Sequence, residues 1–148
     1  LKVGKIISIE KHPDAEQLYK MKVDLGEEEN RPIVAGLVKH YSPDAVQNRT
    51  VILLSNLKPA KIRGESSRGM VLVCKKRNKM ELLDGNPFEI GKVVEVHRQN
   101  IDHSEITIEE FKEMPLNVEN NRVVFDDQEC KIEGRLLETV NIKNGKVC

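Results

Sequence analysis

Apolar and polar side chains alternate without a break in one segment of the chain, Tyr19-Lys20-Met21-Lys22-Val23-Asp24-Leu25. Successive side chains of a β-strand point to opposite faces of its sheet, so the alternation predicts a strand with one buried face and one wet face. The chain has no Trp, three Phe and two Tyr, so the core must be built mainly from Val, Ile and Leu. Its 148 residues leave room for one ordinary domain, or for a small barrel with an appendix.

Further strand signals lie on both sides of this segment. Short β-branched or apolar runs predict strands over 3–9, 32–35, 50–54, 70–74 and 93–96. Between the third and fourth strands, Ser42 followed by Pro43 and Asp44 indicates the start of a short helix. Short strands with one short helix between strands three and four follow the element order of an OB-fold barrel. We therefore predict a mainly β protein with an OB-fold barrel over residues 1–98.

The sequence changes character after residue 98. Thr107 and Glu110 have the spacing of a capping box ahead of Phe111, which predicts a short helix within 104–113. Apolar runs predict further strands over 122–125, 130–132 and 137–142. The alternative is a disordered acidic tail, but the repeated apolar content favours an ordered unit over residues 99–148 that packs on the barrel as a C-terminal extension.

The charges are unevenly distributed along the chain. The formal net charge is zero, yet residues 1–98 carry 18 Lys and Arg against 13 Asp and Glu, a net of +5. The remaining 50 residues carry 6 against 11, a net of −5. Residues 56–79 hold eight cations opposed only by Glu65, a net of +7. Such local asymmetry is typical of an anion-binding face.

Within this basic segment, residues 56–70 connect two predicted strands. Pro59, Gly64 and Gly69 predict a loop of defined shape, because proline fixes one backbone angle and glycine adopts angles that strain other residues. The loop would project four cations that match phosphate oxygens, namely Lys58, Lys61, Arg63 and Arg68. Asn56 and Ser67 would add neutral hydrogen bonds to bases, sugars or phosphates. The alternative is a charged loop that is only solvated.

Other function classes lack their signatures in this sequence. No apolar run approaches the ~20 residues of a membrane span, and the first residues do not resemble a signal segment. The absence of an initiating Met suggests a piece of a longer polypeptide. No Gly-rich loop for a nucleotide phosphate is present, and we identify no catalytic residue and no cofactor.

Several chemically active side chains have simpler structural interpretations. His12 and Asp14 are close enough for acid–base chemistry, but with Pro13 they read as a turn in which Asp14 caps backbone donors. The acidic runs 27–29 and 126–127 lack the spacing of a calcium loop, so we expect no metal site. Cys74, Cys130 and Cys148 have no zinc-ligand spacing. A disulfide between two of them stays open, but reduced thiols in an intracellular protein are the simpler expectation.

Three blocks of sequence resemble a known family. They are Lys11-His12-Pro13-Asp14-Ala15 with Leu18-Tyr19 after it, Val34-Ala35-Gly36-Leu37-Val38, and Asn56-Leu57-Lys58-Pro59-Ala60-Lys61 running through Arg63-Gly64, Ser67 and Gly69-Met70. Their order and spacing resemble the tRNA-binding domain of a bacterial tRNA-binding protein, of methionyl- and tyrosyl-tRNA synthetases, of the yeast synthetase cofactor and of endothelial-monocyte-activating polypeptide II. The tail, from Asp127-Gln128-Glu129-Cys130 to Gly145-Lys146-Val147-Cys148, is similar to the extension of the eukaryotic members.

The resemblance implies a non-catalytic OB-fold module that binds the outside of tRNA mainly by its structure. The family's binding surface maps onto Asn56, Lys58, Lys61, Arg63, Ser67 and Met70, and the neighbouring cations extend it to Arg68, Lys75 and Lys76. The partners would be tRNA and a synthetase catalytic domain, in the same chain or in another, with a methionyl or tyrosyl enzyme as the expected parent. Compact members dimerise, whereas in extended members the tail takes the place of the partner in a pseudo-dimer, so a cytoplasmic monomer is expected.

Two other functions stay open at the level of sequence. The cytokine-like members carry a basic and apolar stretch near the start of the domain, and this chain has a similar one in Lys2, Val3, Gly4, Lys5, Ile6, Ile7 and Ser8. A signalling polypeptide would require secretion after proteolysis, and the same residues also make an ordinary first strand. The third hypothesis is a docking module that holds synthetases together in a complex.

Overall fold

The structure is a computed structural model that describes residues 1–96 and 105–148. Within these two ranges the chain forms fifteen β-strands and two short helices, so the predicted mainly β class is confirmed. The strands before the gap are β1 (Lys2–His12), β2 (Ala15–Asp24), β3 (Arg31–Ala35), β4 (Thr50–Leu54), β5 (Ala60–Ile62), β6 (Glu65–Ser67), β7 (Met70–Val71), β8 (Val73–Lys76), β9 (Lys79–Leu82) and β10 (Glu95–Val96). The strands after it are β11 (Leu116–Glu119), β12 (Arg122–Phe125), β13 (Gln128–Ile132), β14 (Arg135–Leu136) and β15 (Gly145–Val147).

Both predicted helices are present. Helix α1 (Pro43–Val46) lies between β3 and β4, with Pro43 in its first turn, although the Ser42 side chain makes no capping hydrogen bond. Helix α2 (Ile108–Lys112) begins with the predicted capping box, in which the Thr107 side chain accepts from the Glu110 N–H and the Glu110 side chain accepts from the Thr107 N–H. Ser104, the first residue of the predicted range 104–113, lies outside the described residues.

The first five-stranded sheet has the antiparallel order β3-β2-β1-β4-β7. The predicted closure into a barrel is wrong for this structure, because no ladder joins the end strands β3 and β7 in the described part of the chain. Two hydrogen bonds replace it: Arg68 N–H donates to the Pro32 carbonyl over 2.8 Å, and Val34 N–H donates to the Ser67 hydroxyl over 3.1 Å. Because the Ser67 side chain takes the Val34 donor, the backbone of a neighbouring strand does not receive it.

The single strand predicted over 70–74 is two strands that belong to different sheets. Met70–Val71 pairs with β4, whereas Val73–Lys76 pairs with β9 and with β15. The second sheet has the order β10-β13-β12-β11-β15-β8-β9, with β14 on β13. In it Lys146 lies opposite Lys75 and Val147 lies opposite Cys74. The extension therefore continues a sheet that begins in the N-terminal part.

Two apolar clusters share β4, whose run of Val51, Ile52, Leu53 and Leu54 is apolar on both faces. Val51 and Leu53 pack with Tyr19 and other residues of the first sheet. Ile52 and Leu54 belong to the other cluster, which includes extension residues such as Leu116, Val123 and Ile132. A strand covered on both sides has no wet face, which explains why the alternation of β2 is absent from β4.

The strand predicted over 137–142 is wrong: β14 ends at Leu136, and within 137–142 only Glu138 forms an isolated bridge, to Arg122. Residues 140–142 are instead held by Glu81 of β9, a buried side chain whose carboxylate accepts the N–H groups of Val140, Asn141 and Ile142 over 2.6, 2.9 and 2.8 Å. Backbone donors taken by one carboxylate cannot form a ladder. The domain boundary predicted between residues 98 and 99 lies outside the described residues and stays a prediction.

Candidate nucleic-acid interface

The part of the basic segment that lies between β4 and β7 forms a β-hairpin rather than an irregular loop. Strands β5 and β6 pair antiparallel, with Ala60 opposite Ser67 and Ile62 opposite Glu65. The two turn residues, Arg63 and Gly64, both have positive φ angles of 53° and 84°. Two-residue hairpin turns favour such angles because their twist matches that of the strands. We call residues 58–68 the basic hairpin; the sequence analysis predicted a loop of defined shape here and not a pair of strands.

The extension holds the base of the basic hairpin. The backbone N–H of Lys58 donates to the Ile106 carbonyl over 2.7 Å, and the Ile106 N–H donates to the Asn56 carbonyl over 2.9 Å. These two bonds form a parallel bridge between Leu57 and Ile106. The hairpin is therefore anchored by the residues that lead into α2, a contact that the sequence did not reveal.

Ser67 does not reach the surface. Its side chain is buried, and its hydroxyl accepts from the Val34 N–H over 3.1 Å and donates to the Gly69 carbonyl over 3.2 Å. Both its donor and one acceptor position are thus used inside the protein. The structure assigns Ser67 to shaping the hairpin base, whereas the sequence suggested a contact to RNA.

Arg31 is a positioning residue that the sequence analysis missed. Its guanidinium donates to both carboxylate oxygens of Glu27, over 2.7 and 2.9 Å, and also to the carbonyls of Ser55 and Arg68. The hydrogen bond from Arg31 lowers the pKa of Glu27. The charge of Arg31 is thereby paired. Its planar guanidinium holds Ser55, which precedes the basic hairpin, close to Arg68, which ends it.

The two faces of the hairpin border different clefts. On one side, Asn56 and Arg68 line a polar cleft of about 330 Å³ together with Lys2, Arg31 and Glu105. On the other side lies a largely apolar groove of about 640 Å³ that β3, the hairpin, β8 and α2 enclose. Lys58 and Lys75 line this groove, and the half-buried Met70 forms part of its wall.

The cations of the basic hairpin are exposed and available. Lys58, Lys61, Arg63 and Arg68 are all exposed, and none has an ion-pair partner in the described part of the chain. Arg63 makes one long hydrogen bond, 3.4 Å, to the Asp14 carbonyl. Exposed cations without a carboxylate partner are free to bind phosphate oxygens.

Lys75 and Lys76 point to different regions, because neighbours on a strand alternate between faces. Lys75 lines the apolar groove beside Lys58, and it also lines a hollow with Lys39 and Arg77. Lys76 lines neither the groove nor that hollow, and instead lies near Lys143. The structure thus brings Lys75, but not Lys76, to the basic hairpin.

The stretch from Lys2 to Ser8 is the first half of β1, which lies between β2 and β4 in the first sheet. Val3, Gly4 and Ile6 are buried, and a Cβ on Gly4 would come within 2.8 Å of the Val23 side chain. Only Ile7 and Ser8 of the seven residues are exposed. The geometry accounts for this stretch as a structural strand.

The remaining chemically active residues serve the fold. His12 is the buried last residue of β1, and its Nδ1 accepts from the Asp14 N–H over 3.0 Å, so the histidine caps the turn and not the aspartate as predicted. Burial raises the pKa of the Cys74 and Cys130 thiols to about 11 each, which makes them weak nucleophiles. Among residues 1–96 and 105–148, no three His, Cys, Asp or Glu side chains gather as a metal site would require. The helices of these ranges are too short and too polar to cross a bilayer.

Comparison with known proteins places these features in a wider group. Residues 1–92 match the family model described as "Putative tRNA binding domain". The chain is 49% identical to the cytoplasmic methionine–tRNA ligase of Caenorhabditis elegans over 84 residues. This match covers 57% of this chain and 9% of the relative. It is 48% identical to aminoacyl tRNA synthase complex-interacting multifunctional protein 1 of Cricetulus griseus over 83 residues. This match covers 56% of this chain and 23% of the relative. The chain thus spans less than a quarter of the length of these curated relatives.

One solved structure is similar over nearly the whole length, including the extension. The crystal structure of the C-terminal domain of Plasmodium vivax p43 superimposes with a TM-score of 0.89 and 27% sequence identity. The match covers 99% of this chain and 94% of that one. The two-sheet arrangement with its extension is therefore shared with that domain.

Proposed function

The chain belongs to the tRNA-binding domain family, and from this membership we propose that it binds tRNA through the basic hairpin and assists an aminoacyl-tRNA synthetase without catalysing a reaction itself. The observation that carries the proposal is the hairpin of exposed cations, which the extension anchors at its base and none of which has an ion-pair partner among residues 1–96 and 105–148. Because the hairpin backbone is already held at its base, binding to a phosphate backbone need order only the Lys and Arg side chains, so less of the contact energy is spent on ordering.

The expected recognition is largely independent of base sequence. Lys and Arg side chains reach phosphates from the outside of an RNA helix, and the deep, narrow major groove of A-form RNA hides the base edges from them. If Lys58, Lys61, Arg63, Arg68 and Lys75 each neutralise one phosphate, log affinity falls with log salt at a slope of about −4. Identity of the amino acid would then be decided by the synthetase.

The benefit to a synthetase is a higher local concentration of tRNA. A binding module linked to a catalytic domain, or docked to it, makes the second encounter effectively intramolecular. The names of the relatives include a ligase that contains such a segment and a protein that interacts with the synthetase complex. We propose that this chain acts in one of these two arrangements, in the cytoplasm, as the Caenorhabditis elegans relative does by its name.

The proposal is tested with two matched triple variants and several purified tRNAs. The hairpin variant carries Lys58→Gln, Lys61→Gln and Arg63→Gln; the control carries Lys22→Gln, Lys131→Gln and Arg135→Gln. Each removes two Lys and one Arg from exposed positions. We expect the hairpin variant to bind every tRNA more weakly by a similar factor, and the control to bind like the wild type. Loss confined to one tRNA, or equal loss in both variants, would overturn the proposal.

A further inference from the structure

The turn between β8 and β9 carries a second group of cations, of which only Lys76 belongs to the tRNA surface predicted from the sequence. Lys76 lies opposite Lys79 across this antiparallel pair, and Arg77 forms the turn with a φ angle of 55°. Residues from two other parts of the chain approach the same turn. We call this group the turn cluster; it consists of Lys39, His40, Lys76, Arg77, Lys79 and Lys143.

Two hollows flank the turn, and cations line both. The first has a volume of about 350 Å³ and lies between the turn and Lys39-His40. The second has a volume of about 520 Å³ and lies between the turn and residues 141–143. Arg77, Asn78 and Lys79 line both hollows, and neither is lined by an Asp or Glu of the described residues.

The positive charge of the turn cluster is not neutralised within residues 1–96 and 105–148. None of its Lys and Arg side chains has a carboxylate partner within 4 Å there. Glu81, the acid on the same β-hairpin, is buried and accepts three backbone N–H groups of 140–142 instead. Like charges gathered without a counter-charge favour an anionic ligand.

The chemistry of the hollows fits a sugar–phosphate backbone better than a protein partner. Their lining is Lys, Arg, His and Asn, with Met80 half-buried and Ile142 buried, and no aromatic side chain contributes. Protein interfaces have a core enriched in aromatic residues and depleted of Lys. Cations spaced over a surface are what repeated phosphates require.

The turn cluster is continuous with the basic hairpin. Lys75 lines both the groove that contains Lys58 and the first hollow beside Arg77. We propose that the turn cluster is a second contact for the sugar–phosphate backbone of the same RNA, so that one bound tRNA meets the chain at the hairpin and at the turn. This inference rests on the proposed function.

The test uses a third triple variant, Arg77→Gln, Lys79→Gln and Lys143→Gln, which again removes one Arg and two Lys. Binding of unfractionated tRNA is measured over a salt series for the wild type, this turn variant, the hairpin variant and the Lys22/Lys131/Arg135 control. Each lost phosphate contact makes the slope of log affinity against log salt less steep by roughly 0.7–0.9, so we expect a change of about 2–3 in the turn variant. Thermal unfolding of each variant confirms that the fold is kept.

The outcomes separate this inference from the proposed function. A less steep slope in both the hairpin and the turn variants, with the control unchanged, supports both contacts. A change in the hairpin variant alone overturns the second contact and leaves the proposed function intact. A wild type that shows no salt-dependent tRNA binding overturns the proposed function and, with it, this inference.

Discussion

Ser67 connects the strand that ends the first sheet to the hairpin that carries the candidate site. Its hydroxyl replaces the backbone partner that Val34 would find in a closed barrel, and it also fixes Gly69. The residue matters because it is buried, whereas its neighbour Ser66 is exposed on the same strand. Sequence alone could not separate the two serines, since burial depends on where β3 lies.

We expect Ser67→Ala to lower the free energy of unfolding by about 1–3 kcal/mol, because the buried Val34 N–H loses its acceptor. Ser66→Ala is the matched control and should change it by no more than about 0.5 kcal/mol. Urea unfolding followed by circular dichroism measures both. Equal effects of the two substitutions would contradict the structural role of Ser67.

The cysteines give a prediction of pH dependence. With pKa values of about 11, Cys74 and Cys130 hold roughly one thiolate in a thousand at pH 8. In the folded protein, iodoacetamide should modify the half-buried Cys148 first and the two buried thiols slowly, with a rate that rises tenfold for each pH unit. Peptide mass spectrometry reads each site. Similar rates at all three cysteines before unfolding would contradict this.

The same shifts affect stability at high pH. The folded state keeps the two protons more tightly than the unfolded chain, whose thiols have the ordinary value of 9.0. Their contribution to stability is therefore complete below pH 9 and is lost as the pH rises to about 11.

At the scale of elements, the basic hairpin depends on its turn. Gly64 has a φ angle of 84°, and a Cβ there would meet no atom within 4 Å, so any cost of a substitution is backbone strain alone. Gly134 in the turn between β13 and β14 has a φ angle of 81° and equally open surroundings. The two glycines are therefore a matched pair, and only the turn at Gly64 belongs to the basic hairpin.

We expect Gly64→Ala and Gly134→Ala to destabilise the protein by a similar amount, about 1–2 kcal/mol. Only Gly64→Ala should weaken tRNA binding, because it distorts the turn that presents Lys61 and Arg63. Binding titrations at one salt concentration, beside thermal unfolding, measure both effects. Weaker binding in both variants would show that stability, and not the hairpin geometry, limits affinity.

A second element-scale prediction concerns Glu81, whose carboxylate holds residues 140–142 of the extension. Glu81→Gln removes the charge and replaces one of the two accepting oxygens with an NH2 group, which cannot accept a backbone N–H, and should lower the free energy of unfolding by about 1.5–3 kcal/mol. Hydrogen exchange of the Val140, Asn141 and Ile142 amides should become faster in this variant. The exposed Glu138→Gln is the control, and faster exchange at 140–142 in that variant as well would argue against a specific role of Glu81.

Local patterns predicted the elements well where the cause is local. The alternation in β2, the proline at the start of α1 and the capping box of α2 depend on neighbouring residues, and all three are confirmed. The split after Met70-Val71 and the loss of the strand over 137–142 depend on distant partners, β15 and Glu81. Such contacts leave no periodic signal in the chain.

At the scale of the whole molecule, the extension is part of the fold. It covers the outer face of β4, adds β15 beside β8 and anchors the basic hairpin through Ile106. The sequence predicted an ordered extension from its apolar content, and the charge asymmetry predicted which part is basic. It could not show that residues of the extension position the hairpin, because that contact joins segments about 50 residues apart.

Separation along the sequence also decides which residues of the candidate site could be predicted. Lys58, Lys61, Arg63 and Arg68 follow one another closely, so they could be singled out as a group, and the structure presents them on one exposed hairpin. Arg31 could not be found in this way, because its contacts to Ser55 and Arg68 arise only when β3 lies beside the segment.

The central claim is that exposed cations of the basic hairpin bind the phosphates of tRNA, and the most direct measurement is tRNA affinity over a salt series for the wild type and the Lys58/Lys61/Arg63→Gln variant. We expect log affinity of the wild type to fall with log salt at a slope of about −4 or steeper, and the slope of the variant to be less steep by about 2–3. Equal slopes for the two proteins, or binding that does not change with salt, would contradict the account.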